Sequence, residues 1–199
     1  MICTLIAGVN GVGKSSLTGV LLLERCDLGI VINPDKIAAE RNGNFLEGAK
    51  IALRMIEDSI AGGIDFTQET TLSGHQPLST VKKAKEYGYY IRLYYVGLDT
   101  LNESISRIEN RVRKGGHNIA SEIVAKRFEK RFEDVSKILP HCHEAHFLDN
   151  ENGFADVAEY KNGKLNIISD TPPKWILDLK KHLDDKAYAS YLSQYNGKK

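Results

Sequence analysis

The chain has 199 residues, of which 42% are hydrophobic and 27% charged, and its formal net charge at pH 7 is +1. This composition is typical of one globular domain, and it excludes a global electrostatic attraction to nucleic acid or to an acidic membrane. No apolar run approaches the roughly 20 residues of a membrane span, and the residues after Met1 do not form a secretory signal. Cys3, Cys26 and Cys142 form no C-x-x-C pair. We therefore expect a cytoplasmic protein with reduced thiols and with neither nucleic acid nor membrane as a partner.

The first predicted element is a strand at residues 2–7, an apolar and partly β-branched run. It leads into Gly8-Val9-Asn10-Gly11-Val12-Gly13-Lys14-Ser15, which fits the pattern G-x-x-x-x-G-K-S/T throughout. Apolar residues at helical spacing follow from Leu17 onward. A strand, a glycine-rich turn and a helix in this order predict a phosphate-binding loop, because backbone N–H groups and the helix N-terminus both attract an anion. The sequence therefore predicts a nucleoside triphosphate site.

The residues of this loop are expected to hold ATP and a magnesium ion. Lys14 is expected to reach the β- and γ-phosphates, and the Ser15 hydroxyl is expected to ligate Mg²⁺. The expected nucleotide contacts are Gly8, Asn10, Gly11, Val12, Gly13, Lys14, Ser15 and Ser16. The alternative interpretation is a glycine-rich turn that ends in Lys-Ser and binds no phosphate.

Strands and helices alternate after the loop. The remaining core strands are predicted at residues 29–32, 64–67, 89–96 and 145–148. Helix starts are predicted at the capping boxes Asn44 with Glu47 and Thr100 with Glu103, and at Ser121 as a cap. This alternation predicts an α/β P-loop NTPase fold, with a mostly parallel five-stranded sheet flanked by helices.

The C-terminal part of the chain follows a different pattern. Asn162-Gly163 predicts the turn of a β-hairpin, and Pro172-Pro173 leads into a final helix. The predicted boundaries are one domain over residues 1–199, a core over residues 1–150, and a hairpin and helix over residues 151–190.

Three features favour a small-molecule kinase over a motor ATPase or a GTPase. The third strand leads into Gln68-Glu69-Thr70-Thr71, where a motor ATPase carries Asp-Glu at the end of a strand. The chain contains no Asn-Lys-x-Asp sequence for guanine recognition. The basic segment 107–114 precedes Gly115-Gly116, a pattern typical of a lid that closes over phosphates and excludes water.

Three runs follow one another along the chain: Asn33-Pro34-Asp35, then Glu69-Thr70-Thr71-Leu72-Ser73-Gly74, then Arg111-Val112-Arg113-Lys114-Gly115-Gly116-His117. Together they resemble the zeta-toxin family of P-loop kinases, and more closely its compact, chromosomally encoded branch of predicted ABC-type ATPases or kinases. The resemblance extends from Ile2 to about Asn150. It implies an enzyme that uses ATP and Mg²⁺ to phosphorylate a sugar hydroxyl of UDP-N-acetylglucosamine, and that a small antitoxin partner can block.

The resemblance also implies roles for individual residues. Asp35 matches the general base that accepts the proton of the acceptor hydroxyl, although a helix N-cap is the alternative. Glu69, Thr70 and Thr71 match residues that hold the acceptor, with simple turn chemistry as the alternative. Asp149-Asn150 matches a strand-end pair near the nucleotide.

Two lid arginines complete the implied site. Arg111 and Arg127 match residues that contact the transferring phosphoryl group, for which the guanidinium fork is well suited. Arg107, Arg113 and Arg131 lie close enough in sequence to be candidates for the same role. The alternative for any of these arginines is a solvated helix face.

Two other functions remain compatible with the sequence. One is a nucleoside, nucleotide or nucleic-acid-end kinase, which would share the ATP site and differ in the acceptor. The other is a regulator that binds ATP without turnover, which would not need Asp35 for chemistry.

Overall fold

The structure is a computed structural model that describes residues 1–116 and 118–196. Its strands are β1 Ile2–Ala7, β2 Ile30–Ile32, β3 Phe66–Thr70, β4 Tyr90–Gly97, β5 Glu144–Asp149, β6 Ala155–Lys161 and β7 Lys164–Ile167. Its helices are α1 Lys14–Glu24, α2 Pro34–Ala39, α3 Phe45–Gly62, α4 Gln76–Glu86, α5 Leu101–Arg113, α6 Ser121–Ile138 and α7 Lys174–Asn196, with a 3₁₀ turn at Leu139–His141.

All the strands belong to one sheet in the order β2-β3-β1-β4-β5-β6-β7. Pairing is parallel from β2 to β5, which confirms the predicted parallel core of five strands. The predicted hairpin, β6 and β7, also forms, but it pairs antiparallel with β5 and extends the same sheet. The predicted strand count of five was therefore wrong, since the sheet has seven strands within residues 1–116 and 118–196. The physical reason is that β5 would otherwise leave an edge of unpaired backbone groups, which β6 satisfies.

The alternation of side chains along the strands divides the core between the two faces of the sheet. One face carries Leu5, Phe66 and Leu93, packed with helices that include α3 and α7. The other face carries Ile6 and Val96, packed with residues of α1. The polar residues Gln68 and Glu69 near the carboxyl end of β3 therefore lie on opposite faces of the sheet, next to two different apolar layers.

Local signals in the sequence predicted two of the three capped helix starts correctly. Asn44 Oδ1 accepts from Glu47 N at 3.1 Å and Thr100 Oγ1 accepts from Glu103 N at 3.2 Å, so both caps are confirmed. Ser121 is not a cap: it is the first residue of α6, and the N-cap is Ala120. None of the helices in residues 1–116 and 118–196 combines the length and apolar character needed to cross a membrane.

The third strand differs from the prediction in a way that matters for the site. It was predicted at residues 64–67, but β3 is Phe66–Thr70, so Gln68 and Glu69 are strand residues rather than part of a turn. Polar residues are typical of loops, so the sequence alone suggests that the strand ends before Gln68. In the structure, pairing with β1 continues as far as Thr70. Consecutive strand residues point to opposite faces, so Gln68 and Glu69 face different surroundings.

Candidate active site

The predicted phosphate-binding loop joins β1 to α1. Its backbone passes so close to β4 that a Cβ atom on Gly8 would lie 2.3 Å from the Val96 carbonyl oxygen. Gly13, the N-cap of α1, has φ of 99°, a left-handed value that favours glycine. These glycines turn the chain so that the N-terminus of α1 faces the loop, an arrangement suited to a phosphate group.

Side chains from elsewhere in the chain hold the loop in place. Asn150 Nδ2 donates to Val12 O at 2.7 Å, and Ser104 Oγ donates to the carbonyl oxygen of Asn10. Arg107 in turn donates to the carbonyl oxygen of Asn150. The roles of Ser104 and Arg107 were not predicted, because contacts between residues so far apart in sequence leave no local pattern.

Lys14 lies directly over the loop. Its Nζ donates to Gly8 O at 2.9 Å and to Val9 O at 3.0 Å. Burial of the ammonium lowers the pKa of Lys14 to about 8, while the nearby carboxylates of Glu69 and Asp35 oppose that shift. The ammonium is therefore poorly solvated and lies among the groups expected to take part in phosphoryl transfer.

Glu69 reaches back from β3 to the start of α1. Its two carboxylate oxygens accept separate hydrogen bonds, one from Ser15 Oγ at 2.8 Å and one from Thr18 Oγ1 at 2.8 Å. Glu69 is only 7% exposed, and Asn33 Nδ2 lies 3.3 Å from the same Ser15 hydroxyl. This geometry was not predicted for Glu69, and Thr18 was not identified as a site residue.

The oxygen atoms around Ser15 fit a magnesium ion. Mg²⁺ prefers oxygen ligands and is usually held by one or two protein groups together with substrate phosphates. Ser15 and Glu69 offer such oxygens beside the loop. Within residues 1–116 and 118–196, no group of three or more His, Cys, Asp and Glu side chains is arranged to hold a metal on its own.

Asp35 follows the end of β2 and lies in the first turn of α2. Its alternative role as the N-cap was wrong, because the cap is Asn33, whose Oδ1 accepts from Lys36 N at 3.0 Å. The Asp35 carboxylate is therefore not used to cap its helix, and the residue is exposed towards the cavities beside the loop.

Two cavities meet beside the loop. The smaller, of about 180 Å³, is lined by loop residues and by Arg107 and Arg111. The larger, of about 650 Å³, extends towards α3, α4 and α6 and is lined in part by Thr70 and Thr71. Four of the described residues border both cavities: Asn10, Lys14, Asp35 and Glu69.

The arginine candidates fall into separate positions. Arg107 and Arg111 line the smaller cavity, whereas Arg127 lines the larger one and donates from Nη1 to Asn10 Oδ1 at 2.7 Å. Arg113 is exposed and lies 4.0 Å from Glu109 through Nη2 and Oε2.

Arg131 lies over aromatic rings rather than over the loop. Its guanidinium carbon is 3.8 Å from the ring centre of Phe128 and 4.1 Å from that of Phe132. At the end of the lid motif, Gly116 packs against Arg111, and His117 lies outside the described residues.

The remaining predicted residues lie at strand ends. Thr70 Oγ1 accepts from Leu72 N at 3.0 Å, which shapes the turn that follows β3. Asp149 Oδ1 accepts from Trp175 Nε1 at 2.8 Å, so this carboxylate anchors α7 to the sheet. Of the pair Asp149-Asn150, it is Asn150 whose side chain contacts the loop.

No protein-family model matches the chain. Over 126 residues it is 35% identical to an uncharacterized protein of Haemophilus influenzae, a match that covers 61% of this chain and 88% of that protein. This chain belongs to the same family as the Haemophilus protein.

Solved structures with a similar fold include a chain of the PezAT chromosomal toxin–antitoxin system of Streptococcus pneumoniae. It has a TM-score of 0.61 at 13% identity, with 93% of this chain and 86% of that chain covered. The AvrRxo1-ORF1:-ORF2 complex with ATP gives a TM-score of 0.62 at 16% identity, covering 84% of this chain and 60% of the other. The Pnkp1/Rnl/Hen1 RNA repair complex gives 0.56 at 18% identity, covering 68% and 46%. These similarities confirm the α/β P-loop fold that the sequence predicted.

Proposed function

We propose that the protein is an ATP-dependent kinase that transfers the γ-phosphoryl group to a sugar hydroxyl of a nucleotide-sugar such as UDP-N-acetylglucosamine. The observation that carries this proposal is that Lys14 and Asp35 border both cavities, so a phosphate on the loop and a hydroxyl in the larger cavity would meet between them. ATP as the donor is supported by the similar fold of the AvrRxo1 complex, which was solved with ATP.

The proposed reaction is a displacement at the γ-phosphorus. The acceptor oxygen forms a bond to the phosphorus while the bond to the β-phosphate oxygen breaks, and ADP leaves. Asp35 takes the hydroxyl proton onto its carboxylate as that bond forms. Lys14, Arg107 and Arg111 offset the charge on the phosphate oxygens, and Arg127 extends this positive charge towards the acceptor.

The Ser15 hydroxyl would hold Mg²⁺. The Glu69 carboxylate accepts a hydrogen bond from that hydroxyl. When bound, the ion would supply positive charge that offsets part of the negative charge of the phosphates. The hydrogen bonds from Ser15 and Thr18 fix the Glu69 carboxylate in position, so it orients the Ser15 hydroxyl.

Replacing Glu69 by glutamine tests this magnesium site. We expect the Mg²⁺ concentration at half-maximal activity to rise by about tenfold or more, since residues that orient a metal ligand typically contribute that much to metal affinity. Magnesium titrations of the kinase rate measure the effect. Glu129→Gln, on the exposed face of α6, is the control and should leave the titration unchanged. Equal titrations for Glu69→Gln and wild type would contradict the assignment.

The lowered pKa of Lys14 predicts how ATP affinity depends on pH. Bound triphosphate places negative charge beside the ammonium and raises its pKa above the value of about 8 in the free protein. The complex therefore holds this proton more tightly than the free protein does. ATP affinity should be constant just below that pH and should fall above it, by at most about tenfold per pH unit.

Equilibrium binding of ATP between about pH 7 and about pH 9.5 measures this dependence, a range above the ordinary titration of carboxylates and histidine. Lys14→Met should bind ATP weakly but with the same affinity throughout the range. A fall in affinity that persists in Lys14→Met would assign the proton to another group.

A small antitoxin is the proposed protein partner. The support is the similar fold of a chain from the PezAT chromosomal toxin–antitoxin system and of a chain from the AvrRxo1-ORF1:-ORF2 complex. A partner of this kind would block the loop or the larger cavity. Co-purification with the product of an adjacent small gene, followed by loss of kinase activity in the complex, is the expected result.

A search for the phosphorylated product tests the function directly. The protein is incubated with Mg²⁺, γ-labelled ATP and a metabolite extract, and labelled products are identified by mass spectrometry. UDP-N-acetylglucosamine is then assayed alone, with ADP formation measured in parallel. Transfer of label to this acceptor supports the proposal. ATP binding with no labelled product from the extract would instead support a regulator that binds ATP without turnover.

A nucleoside kinase is the second candidate, and one feature of the larger cavity favours it. Away from the loop, the described residues of its wall include no cation that would pair with the diphosphate of a nucleotide-sugar. Uridine, which carries hydroxyls and no phosphate, is therefore included as an acceptor. Transfer to uridine with none to UDP-N-acetylglucosamine would select this second function.

A further inference from the structure

Gln68 borders the larger cavity and has a polar atom without a partner. The residue is 6% exposed, and within the described part of the chain its Oε1 accepts no hydrogen bond. Buried polar atoms nearly always have hydrogen-bond partners, since an unpaired one has lost its water without replacement. The other buried unpartnered atoms in the described part belong to residues that do not line this cavity: Thr4, Thr80, Arg131 and His182.

The position of Gln68 in β3 explains its burial. It pairs in register with Leu5 of β1 and Ile32 of β2, both completely buried. Gln68 shares its face of the sheet with Phe66 and Thr70, whereas Glu69 points to the opposite face and contacts α1. The side chain therefore lies where the apolar core ends and the cavity begins, at a place where an apolar residue would also fit the surrounding core.

The charges of the cavity are concentrated near the loop. Among the described lining residues the charged ones are Lys14, Asp35, Glu69 and Arg127. The first three also border the smaller cavity, and Arg127 is hydrogen-bonded to Asn10 of the loop. The wall farther from the loop is apolar or neutral, and it includes Phe45, Pro77 and Ile123. A molecule in this part of the cavity would meet apolar surface and uncharged polar atoms.

We infer that Gln68 determines acceptor specificity: its carboxamide oxygen accepts a hydrogen bond from an N–H or O–H donor on an uncharged group of the acceptor. The inference rests on the proposed function, since it requires an acceptor in the larger cavity. The bond supplies the partner that the buried oxygen lacks. An acceptor without a donor at this position leaves the Gln68 oxygen buried and unpaired. The site rejects such an acceptor for that reason.

Gln68→Met tests the inference, because methionine keeps an unbranched side chain of similar length and removes the carboxamide. The acceptors are UDP-N-acetylglucosamine and uridine, and KM is measured for whichever accepts phosphate. We expect the KM for this acceptor to rise by about tenfold while the KM for ATP stays within about twofold. Thr80→Val is the matched control, since it removes a buried, unpartnered hydroxyl from a residue that does not line the cavity. It should change neither KM.

A comparison of UDP-N-acetylglucosamine with UDP-glucose locates the donor. If the donor is the acetamido N–H, Gln68→Met removes a preference for the first substrate over the second. If the donor lies on the uracil ring, the substitution raises the KM for both alike. Either result supports the role of Gln68.

Stability separates this role from a structural one. Removing a buried polar atom that has no partner should leave the urea midpoint of Gln68→Met at or above the wild-type value. A lower midpoint together with an unchanged KM for the acceptor would overturn the inference and leave the kinase proposal intact. Absence of phosphoryl transfer by the wild-type protein to any acceptor would reject the kinase, and the acceptor role of Gln68 with it.

Discussion

Asp35→Asn should lower the rate of phosphoryl transfer by about 10²-fold or more while ATP still binds with nearly wild-type affinity. Asparagine has almost the same shape as aspartate but cannot accept the proton of the attacking hydroxyl. The carboxylate is also not used to cap α2, because Asn33 caps that helix. The substitution should therefore alter chemistry without loosening the fold. Single-turnover transfer and equilibrium ATP binding measure the two effects separately.

Asp58→Asn is the matched control, since Asp58 lies on an exposed face of α3 and does not line either cavity. It should transfer phosphate at the wild-type rate. An Asp35→Asn protein that transfers phosphate as fast as wild type would remove the general base from the proposal. If neither the wild-type protein nor Asp35→Asn transfers phosphate and both bind ATP equally, a regulator that binds ATP without turnover becomes the better description.

Lys14→Met should produce the other large loss. The ammonium lies over the loop, and it is the charged group expected to follow the γ-phosphate through the reaction. Removing one such preorganised electrostatic contact typically lowers kcat by about 10²- to 10³-fold. Steady-state kinetics give kcat, and ATP binding at pH 7 should weaken as well, because the bound phosphates lose a cation.

The matched control is Lys36→Met, which removes a lysine next to Asp35 in α2 that is exposed and does not line either cavity. It should keep nearly wild-type kcat and ATP affinity. Equal losses in both variants would mean that the general positive charge of this region matters rather than the position of Lys14. Urea unfolding of both variants verifies that the fold is retained.

The local parts of the site could be predicted from the sequence. The phosphate loop depends on glycines, a lysine and a serine that are adjacent in the chain, so its pattern is visible before folding. The caps at Asn44 and Thr100 are equally local, since each bond joins residues three apart. The resemblance to a known family pointed to Asp35, which does lie beside both cavities, although its chemical role is still a proposal.

The partners of Glu69 and the position of Gln68 could not be predicted in this way. The end of β3 looked like a turn because its residues are polar, and polar residues are uncommon within buried strands. Pairing with β1 overrides that local preference and carries the strand on to Thr70. Once both residues belong to a strand, their side chains must point to opposite faces of the sheet.

The sequence by itself determined that this chain has a phosphate loop, a parallel α/β core and a C-terminal hairpin, because each depends on neighbouring residues and on apolar periodicity. Only the tertiary structure decided that the hairpin extends the sheet, that Glu69 contacts Ser15 and Thr18, and that Arg127 rather than Arg131 reaches the loop. The physical reason is that these contacts join residues far apart in the chain. They form only after strand pairing and core packing have brought the elements together, so no local pattern in the sequence records them.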